Sequence, residues 1–478
     1  MTNSAAGNET PPNETPPKKQ SLFAKRRKLY VRFAQGLFQN WRVAFVLLSQ
    51  VLFFGLPWLN WGDRQALLFD LPARKFYLFG VVLWPQDFIY LTALLLISAY
   101  SLFLFTAVAG RLWCGYACPQ TVYTELLMWI ERAIEGNRNA RMKLDAAPWS
   151  AQKIGRKFLK HLLWVIVALW TGVSFVGYFT PIRELVTELP CGVSGWALFW
   201  MLFYGGLIYF LTGWMREQVC KFMCPYARFQ SAMFDRDTMI ITYDTGRGEP
   251  RGPRGRQVDL KEAKLGHCVD CGLCVQVCPT GIDIRNGLQY ECIGCAACID
   301  SCEEVMKKMN YPQGLIRYTT ENAMASGYSR KEMWRRVFRF RTLIYSAILL
   351  VIIATVAVSL SMRNPLKVDV LRDYGMMARE AAPGVIENVY QVQIINTDEH
   401  AHQFVIEVTG LPGIDVADLE QPIRLDGASG RKIPLAARFK LPSDGWKAGV
   451  YPVVFTVRAK DDDALRREEK STFMVPNN

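Results

Sequence analysis

Five stretches of roughly 20 residues, almost free of charge, constrain this chain more than any other feature. They are Val43–Trp61, Phe88–Ala109, Leu162–Ile182, Ser194–Met215 and Thr342–Met362. Each is long enough for a helix to cross a bilayer core of about 30 Å. A helix satisfies its own backbone there, so the expected fold is a multi-pass α-helical membrane protein. Phe76–Pro85 is also apolar but too short to span, and reads as interfacial or re-entrant.

The net charge of +13 could point to nucleic acid, but its distribution argues for membrane topology. Basic residues crowd the N-terminal segment (Lys18, Lys19, Lys25, Arg26, Arg27, Lys28, Arg32, Arg42). They recur after the second apolar run, from Arg111 to Lys160, and before the fifth, from Arg330 to Arg341. The short loop after the third run carries only Arg183. By the positive-inside rule the N-terminus is cytoplasmic and the C-terminus lies outside. The surplus charge then also serves anionic lipid. Residues 1–42 show no cleavable signal, and "NETPPNETPP" is a low-complexity tail.

This topology divides the chain into a basic, largely disordered N-terminus (1–42), a four-span membrane domain (43–241), a cytoplasmic cysteine-rich region (242–341), a fifth span (342–362) and an outer domain (363–478). Within it, Pro119–Glu135 reads as an amphipathic helix opened by proline, and a second helix opens at Pro225. Thr245–Gln257, "TGRGEPRGPRGRQ", reads as a loop, a basic linker on the membrane surface. The last domain consists of short β-branched runs between turn residues. Tyr390, Val392 and Ile394 alternate on one face, as do Phe404, Ile406 and Val408 in the next run. Six or seven such strands suit a small immunoglobulin-type sandwich, with Tyr451 as a tyrosine corner or a plain core tyrosine.

Eight of the 13 cysteines fall in one polar stretch. Cys268, Cys271, Cys274 and Cys278 read C-x-x-C-x-x-C-x-x-x-C followed by Pro279, and Cys292, Cys295, Cys298 and Cys302 repeat the spacing. This is the bacterial two-cluster ferredoxin pattern, in which the fourth cysteine of each run ligates the other cluster. One 4Fe–4S cluster would take Cys268, Cys271, Cys274 and Cys302, and the other Cys278, Cys292, Cys295 and Cys298. A pair of Cys₄ zinc sites competes, but zinc loops pair two C-x-x-C arms rather than run three cysteines at this interval. Glu303, not proline, follows Cys302, which departs from the pattern without removing a ligand.

Two further pairs, Cys114/Cys118 in "WCGYACPQ" and Cys220/Cys224 in "VCKFMCPY", each follow an apolar run and precede a proline. The shared span-plus-C-x-x-x-C-P unit reads as an internal repeat. Proline at the first helical position puts Cys118 and Cys224 at a helix N-terminus, where the macrodipole favours thiolate. If the repeats pack together, four sulfurs converge in a set suited to Cu(I), zinc or an Fe–S centre. Buried inert thiols and a redox disulfide within each pair are the competing readings. Cys191 stands alone and reads as a packed thiol, with an outer copper contact as the alternative.

Only four histidines occur, His161, His267, His400 and His402, too few for a transmembrane haem pair. His267 abuts the first cluster and could tune it by hydrogen bonding. His400 and His402 read as exposed turn residues. With no dinucleotide fingerprint, flavin or nicotinamide chemistry belongs to another protein.

The order of these motifs, with "ECIGCAACIDSCEEVMKKMNYPQGLIRYTTEN" at Glu291–Asn322 and the outer Ig-like domain, resembles the CcoG/FixG/RdxA family of cytochrome oxidase accessory proteins. The C-x-x-x-C-P motif is also similar to that of membrane subunits feeding electrons to nitrate and nitrous-oxide reductases. The family resemblance implies a bacterial inner-membrane protein with a ferredoxin-like region at 242–341, a periplasmic Ig-like domain, and the activity of a cupric reductase, turning Cu(II) into Cu(I) for assembly of the cbb-type cytochrome c oxidase. It implies copper at Cys114, Cys118, Cys220 and Cys224, fed by the two 4Fe–4S clusters. Implied partners are oxidase assembly factors or a copper chaperone or transporter, a cytoplasmic flavoprotein or NAD(P)H-linked donor, membrane lipid, and a second copy in a homo-oligomer; nucleic acid is not among them. An electron conduit to a quinone or an outer reductase, and a redox sensor or assembly scaffold, stand as alternatives.

Overall fold

The computed structural model describes residues 28–190, 192–372, 378–417, 419–441 and 447–476. Lys18, Lys19, Lys25, Arg26, Arg27 and Cys191 lie outside them. Among the described residues five helices are long and apolar enough to cross a membrane: Leu37–Trp58, Pro85–Ala109, Ala151–Val176, Gly195–Met215 and Phe340–Ser361. The fifth leaves Leu350 65% and Val351 64% exposed, as a helix bathed in lipid would.

Two helices begin earlier than their apolar runs, because buried ion pairs extend them. The first starts at Leu37 rather than Val43, carrying Arg42 into a pair with Glu125 at 3.0 Å. The third starts at Ala151 rather than Leu162, capped by the Ser150 hydroxyl. Its Lys157 and Lys160 reach Glu135 at 2.9 and 2.8 Å. The third and fourth helices pack through small residues. A Cβ on Gly172 would lie 2.2 Å from the Met201 carbonyl oxygen. Close backbone approach of this kind drives helix pairing where lipid supplies no hydrophobic contrast.

Phe76–Pro85 is not a re-entrant segment. Lys75–Leu78 and Val81–Leu83 form two strands of a three-stranded antiparallel sheet with Leu67–Asp70. Three strands share their backbone hydrogen bonds, which a lone apolar stretch of this length cannot do. Lys75 Nζ donates to the Ala428 carbonyl at 2.8 Å, so this sheet meets the C-terminal domain. Arg363 adds an ion pair to Asp87 at 2.8 Å, in the first turn of the second long helix.

Residues 366–475 form two antiparallel sheets around one core. Val385–Asn396 is central in the first, flanked by Ser429–Lys440 and Leu366–Arg372. Gly449–Ala459 is central in the second, flanked by His402–Thr409 and Arg466–Val475. Tyr390, Val392, Ile394, Phe404 and Ile406 all lie in the core. The Tyr451 hydroxyl donates to the Lys447 carbonyl at 2.6 Å, the contact of a tyrosine corner. Three strands escaped the sequence reading: Leu366–Arg372, Arg379–Ala382 and Asp415–Ala417. Two of them are rich in charge or alanine and acquire strand character from their neighbours.

Candidate iron–sulfur and thiol site

The polar cysteine region folds around a two-stranded ribbon, Ile240–Tyr243 paired with Ile316–Thr319. Its two cysteine loops have matched backbones. Asp270 and Gly294, each just before the second cysteine, have φ of 52° and 68°. Gly272 and Ala296, each just after it, have φ of 65° and 60° and start a helical segment. Alternating hands of this kind turn successive backbone N–H groups toward one point, a concavity that suits an anionic cluster.

One hollow is lined by Cys268, Cys271, Cys274 and Cys302. The other is lined by Cys278, Cys292, Cys295 and Cys298, with Cys274 at the shared wall. Burial pushes the Cys302 thiol up to about 12, and Cys274, Cys268 and Cys271 add to the shift. Burial raises Cys298 well above an ordinary thiol, with Cys295, Cys292 and Cys278 adding. Cys302 thus feels the other members of its own set, and Cys298 feels those of its own set together with Cys274 at the shared wall. Among the described residues no three His, Cys, Asp or Glu side chains gather tightly enough for a single metal ion. Sulfur-only donors around a larger hollow fit a cluster better than zinc. The missing proline after Cys302 has a local reason: Cys302 lies inside the helix Ala297–Met309, which proline would break.

The two C-x-x-x-C-P arms share their end geometry. Gly110, four residues before Cys114, has φ 52° and ψ −111°; Arg216, four before Cys220, has φ 49° and ψ −113°. The N–H of Cys118 donates to Trp113 at 3.0 Å and that of Cys224 to Val219 at 2.8 Å, each five residues back. Pro119–Glu135 and Pro225–Ala232 then begin directly after the second cysteine. Between those fixed points the arms differ: Leu112–Tyr116 is α-helical and Val219–Met223 is a π-turn.

The arms cross. Gln120 Nε2 donates to the carbonyls of Leu211 and Arg216 at 2.9 and 3.2 Å. Gln230 Nε2 donates to Gly110 at 2.9 Å, while its Oε1 accepts from the Cys114 thiol at 3.5 Å. This exchange makes the four thiols neighbours. Burial pushes Cys114 up to about 12, with Cys118, Cys220 and Cys224 adding. Burial also takes Cys220 to about 12, with Cys118 and Cys224 adding. At Cys118 burial raises the thiol against the opposing N–H groups of Thr121 and Gln120. The helix N-terminus therefore acts in the expected direction, but burial outweighs it and the expected thiolate is not favoured.

Thiols and ferredoxin loops meet at Gly115. A Cβ there would lie 2.9 Å from both the Cys295 Cα and the Ile293 carbonyl oxygen. Cys114 and Cys220 pack against the apolar cluster that contains Cys295 and adjoins Cys298. Arg111 spans the joint, donating to the carbonyls of Cys292 at 3.1 Å and Ala227 at 2.6 Å. A second tether lies at Gly36, where a Cβ would clash with the Asp300 carboxylate at 2.3–2.4 Å. The bare glycine lets Asp300 accept from the N–H of Gln39 at 2.7 Å and of Phe38 at 3.3 Å, capping the first long helix. Neither glycine carried a signal in the sequence.

Thr245–Gln257 is not a simple linker. Asp244 caps a helical turn at Thr245–Gly248, and Arg254 folds back to the carbonyls of Cys268 and Gly266 at 3.2 and 2.5 Å. The His267 ring lies against Tyr311, centroids 5.4 Å apart and planes tilted by 37°, beside the first cluster loop. His161 accepts or donates at 2.9 Å with the Tyr209 hydroxyl within the helix bundle. His400 is exposed as expected. His402 is not an exposed turn residue: it lies between Asp461 at 2.8 Å and Asp398 at 3.1 Å.

The helices, the cysteine hollows and the sandwich together define a multi-pass iron–sulfur redox protein. Family models agree: a 4Fe-4S dicluster domain matches residues 215–321, a 4Fe-4S binding domain 91–137, and the IG-like fold at the C-terminal of FixG 356–476. The nitrogen fixation protein FixG of Rhizobium meliloti is 36% identical over 82% of this chain and 81% of its own length. Proteins RdxA and RdxB of Cereibacter sphaeroides are 36% and 40% identical, over 87% and 81% of this chain and 88% and 83% of theirs. The chain belongs to the FixG/RdxA family.

Proposed function

We propose that this protein reduces Cu(II) to Cu(I) for assembly of the cbb-type cytochrome c oxidase. The observation that carries the proposal is the seat of the Ile293–Cys295 loop on Gly115, between Cys114 and Cys118. A one-electron carrier would there adjoin a crowd of four soft donors. Clusters bound by the cysteine loops would supply electrons singly to Cu(II), and the four thiolates would favour the Cu(I) product. Cys268, Cys271, Cys274 and Cys302 would hold one cluster and Cys278, Cys292, Cys295 and Cys298 the other. Cys114, Cys118, Cys220 and Cys224 would hold copper by closing on it, since no three of them yet gather tightly enough for a single ion. The positive-inside rule puts the cysteine side and N-terminus in the cytoplasm and the sandwich in the periplasm, where it would dock assembly partners.

One observation favours a second reading. The 4Fe-4S binding domain matched at 91–137 contains only Cys114 and Cys118. With Cys220 and Cys224 they could hold a further cluster in an electron conduit. Changing all four to serine separates the readings. Under the copper reading the purified protein keeps its iron and its cluster EPR signals, and loses copper binding and cupric reduction. Loss of iron assigns the quartet to a cluster. Unchanged cupric reduction removes it from the chemistry.

A further inference from the structure

A cavity of about 440 Å³ lies outside the cysteine sites, between the segment Val31–Gln35, the helix Pro119–Glu135 and the ferredoxin loops. Its size falls within the ~300–1,000 Å³ of small-molecule sites. Arg32, Arg42, Arg132, Arg138 and Arg141 line it, against the carboxylates of Glu125 and Glu304. Arg42 pairs with Glu125 at 3.0 Å and Arg141 with Glu131 at 3.1 Å. Both arginines are about 95% buried, yet each keeps a buried Nε with no partner among the described residues. Among those residues Arg32, Arg132 and Arg138 have no carboxylate ion pair. A cavity so rich in guanidinium calls for an anion, and planar forks match phosphate above all.

Two features narrow the ligand. Trp129 and Phe33 line the same cavity, with the Arg132 guanidinium 4.0 Å over the Phe33 ring, so a flat body can stack beside the anion. The far wall is Leu273, Val277, Ala297 and Ser301, each directly before a cluster cysteine. A molecule here is placed to exchange electrons with both clusters. Clusters accept electrons singly; a nicotinamide gives them as a hydride pair, and a quinol has no phosphate. A flavin phosphate satisfies both demands.

We propose that this cavity binds a flavin mononucleotide-type ligand, phosphate on the arginines and ring beside Trp129, as the electron entry site; this reverses the expectation that flavin chemistry belongs to another protein, because a mononucleotide needs no dinucleotide fingerprint. This rests on the two-cluster reading above. The reduced flavin would lose two electrons, one to each cluster, and release two protons to solvent. The test is a fluorescence titration of the full chain, copper-free and with oxidised clusters, in neutral-lipid nanodiscs, so that failure of the copper reading leaves it untouched. Flavin mononucleotide should saturate the protein, and riboflavin, which lacks the phosphate, should bind at least tenfold more weakly. Arg132→Glu should weaken the nucleotide by a similar factor, and Arg156→Glu, an exposed charge outside the cavity, should not. Iron content checks folding; if Arg132→Glu loses iron, Arg132→Gln supplies the same comparison. Equal binding of riboflavin, or no saturable binding, overturns the proposal. Loss of nucleotide binding in phosphatidylglycerol nanodiscs overturns it in favour of a lipid headgroup.

Discussion

The two C-x-x-x-C-P arms reach one backbone geometry by different chemistry. At φ near +50° the first uses Gly110, which tolerates it, while the second uses Arg216, which does not. Arg216 is held there by hydrogen bonds to Glu131 at 2.9 Å and to the Gly213 carbonyl at 2.9 Å. Glu131 in turn pairs with Arg141 at 3.1 Å and Lys160 at 3.5 Å. The first arm is thus a local solution, legible in a glycine. The second depends on a buried ion network built from four separate segments. Strain at a functional site persists where its surroundings over-determine it, and the second arm is the case to test.

The largest effect should come from cutting that network. Glu131→Gln leaves three cations short of a buried carboxylate and should cost roughly 3 kcal/mol. Burial alone would raise the Glu131 pKa, but Arg216, Lys160 and Arg141 outweigh it and hold it at about 2, below its ordinary 4.5. The depressed value means the stabilisation is complete above pH 4.5 and is lost as pH falls toward 2. Thermal unfolding of the natural chain should weaken across that window, and the variant should show less of the dependence.

Next comes the joint to the ferredoxin loops. Gly115→Val should cost about 2 kcal/mol through overpacking against Cys295 and Ile293. Cupric reduction should fall more steeply than bound iron. Full activity in the valine variant would show that the joint is not the electron path.

Gly110→Ala should destabilise by about 2 kcal/mol, through the unfavourable φ and a Cβ placed 2.9 Å from the Met239 carbonyl oxygen. For Arg216 the order of two variants is the informative quantity. Arg216→Gly relieves the strain while losing the Glu131 contact; Arg216→Ala loses the contact and keeps the strain. Alanine should be worse by about 1 kcal/mol in thermal unfolding. Equal values would mean that the positive φ costs nothing here. The smallest effect is Lys221→Ala, within about 0.5 kcal/mol of the natural chain.

Much of the site was legible in the sequence because it is local. Proline after the second cysteine starts a helix at Pro119 and at Pro225, since its fixed φ and missing N–H suit a first turn. Cysteine spacing sorted eight thiols into two sets, because a cluster imposes its own dimensions on a loop. Apolar runs marked five helices, although their buried ionic ends at Arg42 and Lys160 lay beyond any hydropathy window.

What tertiary structure alone decided are contacts between residues far apart in the chain. Asp300 capping the helix that starts at Leu37 joins positions more than 260 residues apart. Gly115 against Cys295, Gln230 against Cys114 and five arginines around one cavity are of the same kind. None has a period, a spacing or a motif, because each depends on which surfaces meet after folding. The sequence by itself determined that eight cysteines form two matched sets and that two further pairs each precede a proline. Packing determined that the cluster loops rest on the thiol arms, and that an arginine cavity opens behind them.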